Sequence, residues 1–295
     1  MTMLNRRQFL ASTAALGVLL AAERAPAQQS NDHERPANRP LSPAFTTITY
    51  NARHFEGWGP RKGHEARLLA ARPQFPLRLA LELALYNPDA ITLMEAPGET
   101  AVAELAQHLN MKHLRYAEGA PGAILTRCPV VESADRPGPA GAPCLEPLHG
   151  RYFARTVLDT SLGHVILYSA HTTARSRDRR RNEVHAIIEV MRDDIASGES
   201  LILQGDLNHT SKWPEYQLWR DAGLVDAFAA KGSGIAATQG TAKPTFRLDY
   251  IWLHGPITEH LIECRVLFEG AFRRHIDDPA GFTFSDHLPV MARFA

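Results

Sequence analysis

The segment Leu201-Ile202-Leu203-Gln204-Gly205-Asp206-Leu207-Asn208-His209-Thr210 constrains this chain more than any other. Its opening apolar run is short and bounded by turn formers, which predicts a buried strand, and Gly205 predicts the point where the backbone turns. A carboxylate and a carboxamide follow, two residues apart. Positions i and i+2 of an extended backbone project to the same side, so Asp206 and Asn208 are expected to point together into a cleft past the sheet edge. Such strand ends are where α/β proteins place chemistry, although Gly, Asp and Asn also make ordinary turns. The other segments decide between the two readings.

Along the chain, runs of strand and helix character alternate. Strands are predicted over 45–50, 90–94, 123–126, 154–158, 165–169, 246–253 and 290–294. Helices are predicted over 77–85, 100–109, 182–195 and 213–222; in the third, Val184, Ile187, Ile188, Met191 and Ile195 share one face. Polar residues gather at the strand ends. Asn51 closes the first run, Glu95 the second and His171 follows the fifth, while Asp249 lies inside 246–253 and Asp286-His287 precede the last. A carboxylate inside so apolar a run is costly to bury unless it is paired. One strand-end Asp or His is ordinarily a satisfied structural group. Six segments with the same arrangement are not explained as turns.

Taken together, Thr49-Tyr50-Asn51, Leu93-Met94-Glu95, Gly122-Ala123-Ile124-Leu125-Thr126-Arg127, Ser169-Ala170-His171, Gly205-Asp206-Leu207-Asn208, Arg247-Leu248-Asp249-Tyr250-Ile251 and Ser285-Asp286-His287-Leu288-Pro289-Val290 resemble the endonuclease/exonuclease/phosphatase superfamily. Its members are Mg-dependent phosphoesterases. The motifs stand in the family's order across nearly all of the chain beyond its leader. Leu207 replaces a frequent Phe, and Thr172-Thr173-Ala174 follow His171 where many members have Leu. The resemblance implies an α/β four-layer sandwich, two mixed β-sheets packed face to face with helices outside. It also implies Mg²⁺ (Mn²⁺ as a substitute) on Glu95, with Asn51 beside it and Asp286 as a further ligand. Asp206 would orient or deprotonate the attacking water, and Asn208 would hold a phosphoryl oxygen. His287, paired with Asp249, would be biased toward its charged form, and His171 would be a second phosphate-facing donor. A two-metal phosphatase would need Gly-Asp-x-x-Asp and a later Gly-Asn-His, and a serine hydrolase Gly-x-Ser-x-Gly; none occurs. A non-catalytic binding protein on the same fold would be expected to have lost some of these residues, and all are present.

The N-terminus reads as a leader. Arg6-Arg7-Gln8-Phe9-Leu10 opens an uncharged run of about 14 residues, and Ala25-Pro26-Ala27 has the small-x-small form of a cleavage site. The paired arginines resemble a twin-arginine signal, which implies the twin-arginine export machinery and a periplasmic or secreted product. The expected organisation is a signal peptide over 1–27, a flexible polar lead-in over 28–43 and one catalytic domain over 44–295, acting as a monomer. Setting aside Arg6, Arg7, Glu23 and Arg24 leaves 29 basic and 31 acidic residues, a balance unlike that of an obligate binder of long nucleic acid. Composition therefore promises neither a long basic face nor a stacking platform. The run Arg175-Ser176-Arg177-Asp178-Arg179-Arg180-Arg181 reads first as a solvated helix start. Of three cysteines, Cys128 and Cys144 are the better candidates for a disulfide. Loops 136–147 and 231–240 are expected to shape the cleft, and Trp58 and Trp213 to be exposed. The expected substrate is a phosphate ester, whether nucleic acid, phospholipid headgroup or small organic phosphate.

Overall fold

Residues 44–59, 65–278 and 281–295 are described by the structure, a computed structural model; the expected leader and lead-in lie outside them. Runs rich in β-branched and aromatic residues form two sheets. The first contains β1 (Phe45–Asn51), β2 (Ala90–Met94), β3 (Lys112–Tyr116), β4 (Gly122–Thr126), β10 (Gly232–Ser233), β12 (Leu261–Val266) and β13 (Val290–Phe294), in the order β10-β12-β13-β1-β2-β4-β3. The second contains β5 (Val130–Asp135), β6 (Tyr152–Thr160), β7 (Gly163–His171), β8 (Leu201–Asp206), β9 (Val225–Asp226) and β11 (Asp249–His254), in the order β5-β6-β7-β8-β11-β9. Both are mixed: β1 and β2 are parallel, as are β7 and β8, and the pairs around them are antiparallel.

The two sheets share an apolar interior to which Phe45, Met94, Ile124 and Ala292 of the first contribute with Leu167, Ile202 and Ile251 of the second. One amide is buried there. Gln204 of β8 accepts from Thr47 Oγ1 at 3.0 Å and donates to Ile48 O at 3.2 Å and Thr92 Oγ1 at 3.0 Å. A fully satisfied polar group in a dry core is compatible with one alignment only, so Gln204 fixes how the sheets face each other. Helices α1 (Glu65–Ala71), α2 (Phe75–Ala84) and α3 (Glu99–Leu109) belong to the first half, while α4 (Arg177–Ser197), α5 (Pro214–Asp221) and the short α6 (Ala227–Lys231) belong to the second. Leu79 and Leu83 of α2 and Val102 and Leu105 of α3 continue the same apolar cluster on the outer face of the first sheet, the face that carries Ile48, Ile91 and Leu125. Val184, Ile187 and Met191 of α4 build a second one against Phe153, Tyr168 and Leu203. The four-layer α/β sandwich is therefore what the chain forms.

Several boundaries differ from expectation for local reasons. Helix α4 starts at Arg177 because the Ser176 side chain caps it, accepting from Arg179 N at 3.3 Å. Strands β3 and β5 lie at sheet edges with partly exposed, polar residues, so they lack the apolar signal. Strand β11 begins at Asp249, not at Phe246, which is exposed. Gly205 does not break β8. It lies within the strand, where an added Cβ would fall 1.9 Å from Ala170 O on the neighbouring β7. All three cysteines are free, because Cys128 packs against the inter-sheet core and Cys144 against the core under α4. Loop 136–147 shapes a different hollow: a cavity of about 510 Å³ bordered by Arg136, Arg155, Tyr168 and Asp194, and by none of the candidate site residues.

Candidate active site

Strand register gathers the predicted residues. Asn51 stands opposite Met94, so Glu95 follows directly beside it. Across the second sheet, Asp206 lies between His171 on β7 and Asp249 on β11. His287 reaches the same point from the segment before β13, where the backbone of 238–240 pins it: Gly240 N donates to Asp286 O and Leu288 N to Thr238 O. Loop 231–240 thus borders the site as expected.

Asp206 is the hub. It is 1% exposed, and its Oδ2 accepts from Asn51 Nδ2 at 3.0 Å. The same Asn51 amide group donates to Glu95 Oε1 at 3.2 Å, bridging the two carboxylates and the two sheets. Asp206 Oδ1 accepts from the backbone N–H of Asn208 at 3.1 Å. Asn208 has φ +50°, so a left-handed residue, and not extended alternation, brings the pair together. Glu95 also lies at φ +47°. Non-glycine residues in this region cost of order 1–3 kcal/mol each and concentrate at functional sites. Asn208 donates one amide N–H to Thr172 O at 2.9 Å, which leaves its second N–H for another acceptor.

Two imidazoles flank the hub at distances longer than hydrogen bonds: His171 Nε2 at 3.6 Å and His287 Nε2 at 3.7 Å from Asp206 Oδ2. Their charge states differ. Burial pushes His171 down to about 4, with Asp206 opposing, so it is neutral at pH 7. Burial also works against a charged His287, but the carboxylates of Asp249 and Asp206 outweigh it and hold the group up to about 10. His287 Nδ1 lies 2.8 Å from Asp249 Oδ2, the pairing expected from the sequence. Burial, then the nearby Asp249, raises Asp206 itself, with the two histidines and Asn51 opposing. Asp249 Oδ1 and His171 Nδ1 are buried without a partner.

Ligand atoms of Asp206, Asp249 and His287 lie within 4.8 Å of one another, close enough for one ion. The charged imidazole between the two carboxylates already supplies that balance. A hard cation fits better at the open side of the cleft. There Glu95 and Asp286 are 30% and 20% exposed at the side chain and offer only oxygen donors, with their ion-pair partners His54 and Arg53 standing off at 3.7 and 3.6 Å. Such a donor set suits Mg²⁺. Asn51 presents its NH₂ to the carboxylates, and its Oδ1 accepts from Arg53 N at 3.1 Å.

The structure adds residues that sequence reasoning missed. Arg53 Nη1 lies 3.6 Å from Asp286 Oδ1, and His54 Nε2 3.7 Å from Glu95 Oε2. Both sit in a turn where Arg53, His54 and Phe55 all have positive φ. Their signal was a basic pair one residue beyond Asn51. Arg151, just before β6, donates Nε and Nη2 to His171 O at 3.2 and 3.0 Å; nothing in its sequence neighbourhood marks it.

Comparison with known proteins agrees with this geometry. The model of the endonuclease/exonuclease/phosphatase family matches residues 48–287. No curated protein matches the sequence. Among solved structures, an endonuclease/exonuclease/phosphatase family protein from Bacteroides thetaiotaomicron superposes with TM-score 0.67 at 17% identity, covering 85% of this chain and 94% of that one. A mannosyl-6-phosphatase of the same organism gives 0.67 at 18%, covering 84% and 98%. TDP2 of D. rerio, complexed with a single-strand DNA product, gives 0.61 at 16%, covering 85% and 99%. These likenesses share the fold, and the family match spans both sheets and every strand end described above. The chain belongs to the endonuclease/exonuclease/phosphatase family.

Proposed function

We propose that the protein is a Mg²⁺-dependent phosphoesterase that hydrolyses a phosphodiester or phosphomonoester by direct attack of water. The observation that carries this is the buried Asp206 held between a neutral and a charged imidazole. Asp206, raised by burial, is the group that takes the proton of the attacking water. Asn51 and the Asn208 amide hold its two oxygens in place. The free N–H of Asn208, the single N–H of His171 and the Nε2–H of His287 converge where phosphoryl oxygens would gain charge. Asp249 keeps His287 protonated and oriented, so it also serves as acid for the departing oxygen. Water's oxygen bonds to phosphorus, the ester P–O bond breaks, and the proton passes to Asp206. Glu95 and Asp286, with Asn51 beside them, would hold Mg²⁺, or Mn²⁺ in its place. When bound, the ion supplies charge neutralisation at the phosphoryl and leaving oxygens.

The leader motif supports export through the twin-arginine machinery, so a periplasmic or secreted monomer acting on an external phosphate ester is the proposed setting. Metal binding tests the ligand assignment. Mg²⁺ titrated into the protein in a calorimeter should give a saturating binding isotherm that Glu95→Gln abolishes. Undiminished binding in Glu95→Gln would remove Glu95 from the site. A panel of DNA, RNA, phospholipid and sugar phosphate, with Mg²⁺ or chelator, should then show metal-dependent release from at least one ester.

A further inference from the structure

On β6 and β7 the residues that face the first sheet are Tyr152, Ala154 and Thr156, and Leu167, Ser169 and His171; the positions between them turn to the other face, which carries the core under α4. Register sets His171 directly opposite Tyr152, and Ser169 opposite the short Ala154. Such pairs stand about 4.5–5.5 Å apart at Cβ. Tyr152 is 2% exposed, Ser169 is fully buried and His171 is 8% exposed. Each carries an orphan: Tyr152 Oη, Ser169 Oγ and His171 Nδ1 lack a hydrogen-bond partner among the described residues. The seam continues in the same way toward β3 and β5, through Tyr116 Oη, on a ring 5.8 Å from that of Tyr152, and Thr156 Oγ1. In the same interior Gln204 has its partners; these five groups do not. Gly122 of β4 admits the Tyr152 ring, since a Cβ there would fall 2.2 Å from it. Burial pushes the Tyr152 phenol well above its ordinary value, with the Ser169 hydroxyl opposing, so Tyr152 remains an O–H donor.

Buried hydroxyl and imidazole groups without protein partners are satisfied by ordered water, which makes about three hydrogen bonds apiece. From this we infer that a water bound by Tyr152 and Ser169 donates to Nδ1 of His171 and holds the ring as its Nε2–H tautomer. Tyr152 and Ser169 are thereby positioning residues for His171. The hydrogen bonds balance: the phenol donates to the water, and the water donates to Ser169 Oγ and to Nδ1. The tautomer of a neutral imidazole is set by the bond its other nitrogen makes. Nε2 is the nitrogen that faces Asp206, 3.6 Å away, where a lone pair in place of the N–H would meet a carboxylate. That the Nε2–H goes on to meet a phosphoryl oxygen rests on the phosphoesterase reading; the water site and the tautomer do not. A dry seam would leave five buried polar atoms desolvated with nothing in exchange.

The test reads the imidazole directly, by long-range proton–nitrogen NMR of the full chain labelled in histidine. At neutral pH the wild type should show His171 protonated on Nε2, with a hydrogen-bonded Nδ1. In Tyr152→Phe/Ser169→Ala, which nearly keeps the shape of both side chains, the Nδ1 signal should move to that of a free acceptor. Tyr152→Phe alone keeps the test available if the double variant does not fold. Tyr168→Phe removes a hydroxyl on the opposite face, one that donates to Asp194; it should lower the melting temperature yet leave the His171 signal in place. Turnover of bis(p-nitrophenyl) phosphate should fall roughly tenfold in the double variant with KM within about twofold, the scale for a group that orients a functional histidine. An Nδ1 signal identical in wild type and double variant would overturn the inference while leaving the phosphoesterase reading intact. A wild-type ring protonated on Nδ1, or a signal that moves as far in Tyr168→Phe, would overturn it as well. A signal that moves as expected in a protein silent on every ester would keep the water site and lose the phosphoesterase reading.

Discussion

Asp206 and Asp226 are both buried carboxylates in the second sheet, and they are solvated in opposite ways. Asp226 is 4% exposed and saturated. It accepts from Phe228 N at 3.0 Å and Ala229 N at 3.3 Å, capping α6, from Tyr216 Oη at 2.9 Å, and from both Nη atoms of Arg247 at 2.7 and 2.5 Å. Asp206 accepts two hydrogen bonds and keeps two imidazoles at arm's length. The first arrangement uses every lone pair to hold a fold together. The second leaves acceptor capacity facing a cleft, next to left-handed Glu95 and Asn208, and tolerates the cost of an incompletely solvated charge. Under the proposed function, the stabilising carboxylate and the reactive one are told apart by what remains unsatisfied.

Mutation should separate the two sharply. Asp206→Asn should lower turnover by about 10²–10⁴-fold while leaving the melting temperature unchanged or higher, since it removes a desolvated charge. Asp226→Ala should do the reverse. It strands Arg247, costing about 3–5 kcal/mol in urea denaturation, with turnover per folded molecule intact. Equal effects of the two variants on rate would erase the distinction.

The histidines sharpen the comparison through pH. His171, held down to about 4, and His209, held down to about 3 by burial, bind protons more readily when unfolded. Their contribution is full above the unfolded value of about 6.5 and falls as pH drops toward 4 and 3. His287, raised to about 10, contributes fully below about 6.5 and loses its contribution as pH rises through 10. Melting temperature should therefore peak near pH 6.5 and fall on both sides. His287→Gln should flatten the alkaline limb alone; an unchanged alkaline limb would remove the charged imidazole. The smallest effect concerns Cys128 and Cys144, which pack against different cores: reductant should leave the melting temperature unshifted, and a drop would reveal a disulfide.

Much of this was legible in the sequence because it is local. Short apolar runs announce buried strands, and the polar residue that ends each run marks which end of the sheet carries chemistry. That Asp249 needs a partner was legible because a carboxylate inside so apolar a run is costly to bury, and the resemblance to the family named His287 as that partner. What was not legible depends on register and strain. Nothing local shows that Asn51 will bridge Glu95 to Asp206 across two sheets, or that residues 53–55 will turn left-handed and bring Arg53 toward Asp286. Gln204 reads as an interruption of an apolar strand, yet it locks the sandwich. His209 follows the Asp-Leu-Asn motif directly, but it accepts from Trp219 Nε1 at 3.0 Å and stacks on Tyr250, a structural role that spacing alone does not distinguish from a catalytic one.

The central claim is that Asp206 drives phosphate-ester hydrolysis with a metal ion. Its most direct test is the rate of bis(p-nitrophenyl) phosphate hydrolysis by the wild-type chain with Mg²⁺, with chelator, and by Asp206→Asn. The account predicts turnover with Mg²⁺ that chelator removes and that Asp206→Asn reduces at least about a hundredfold. Turnover that Asp206→Asn retains would contradict it.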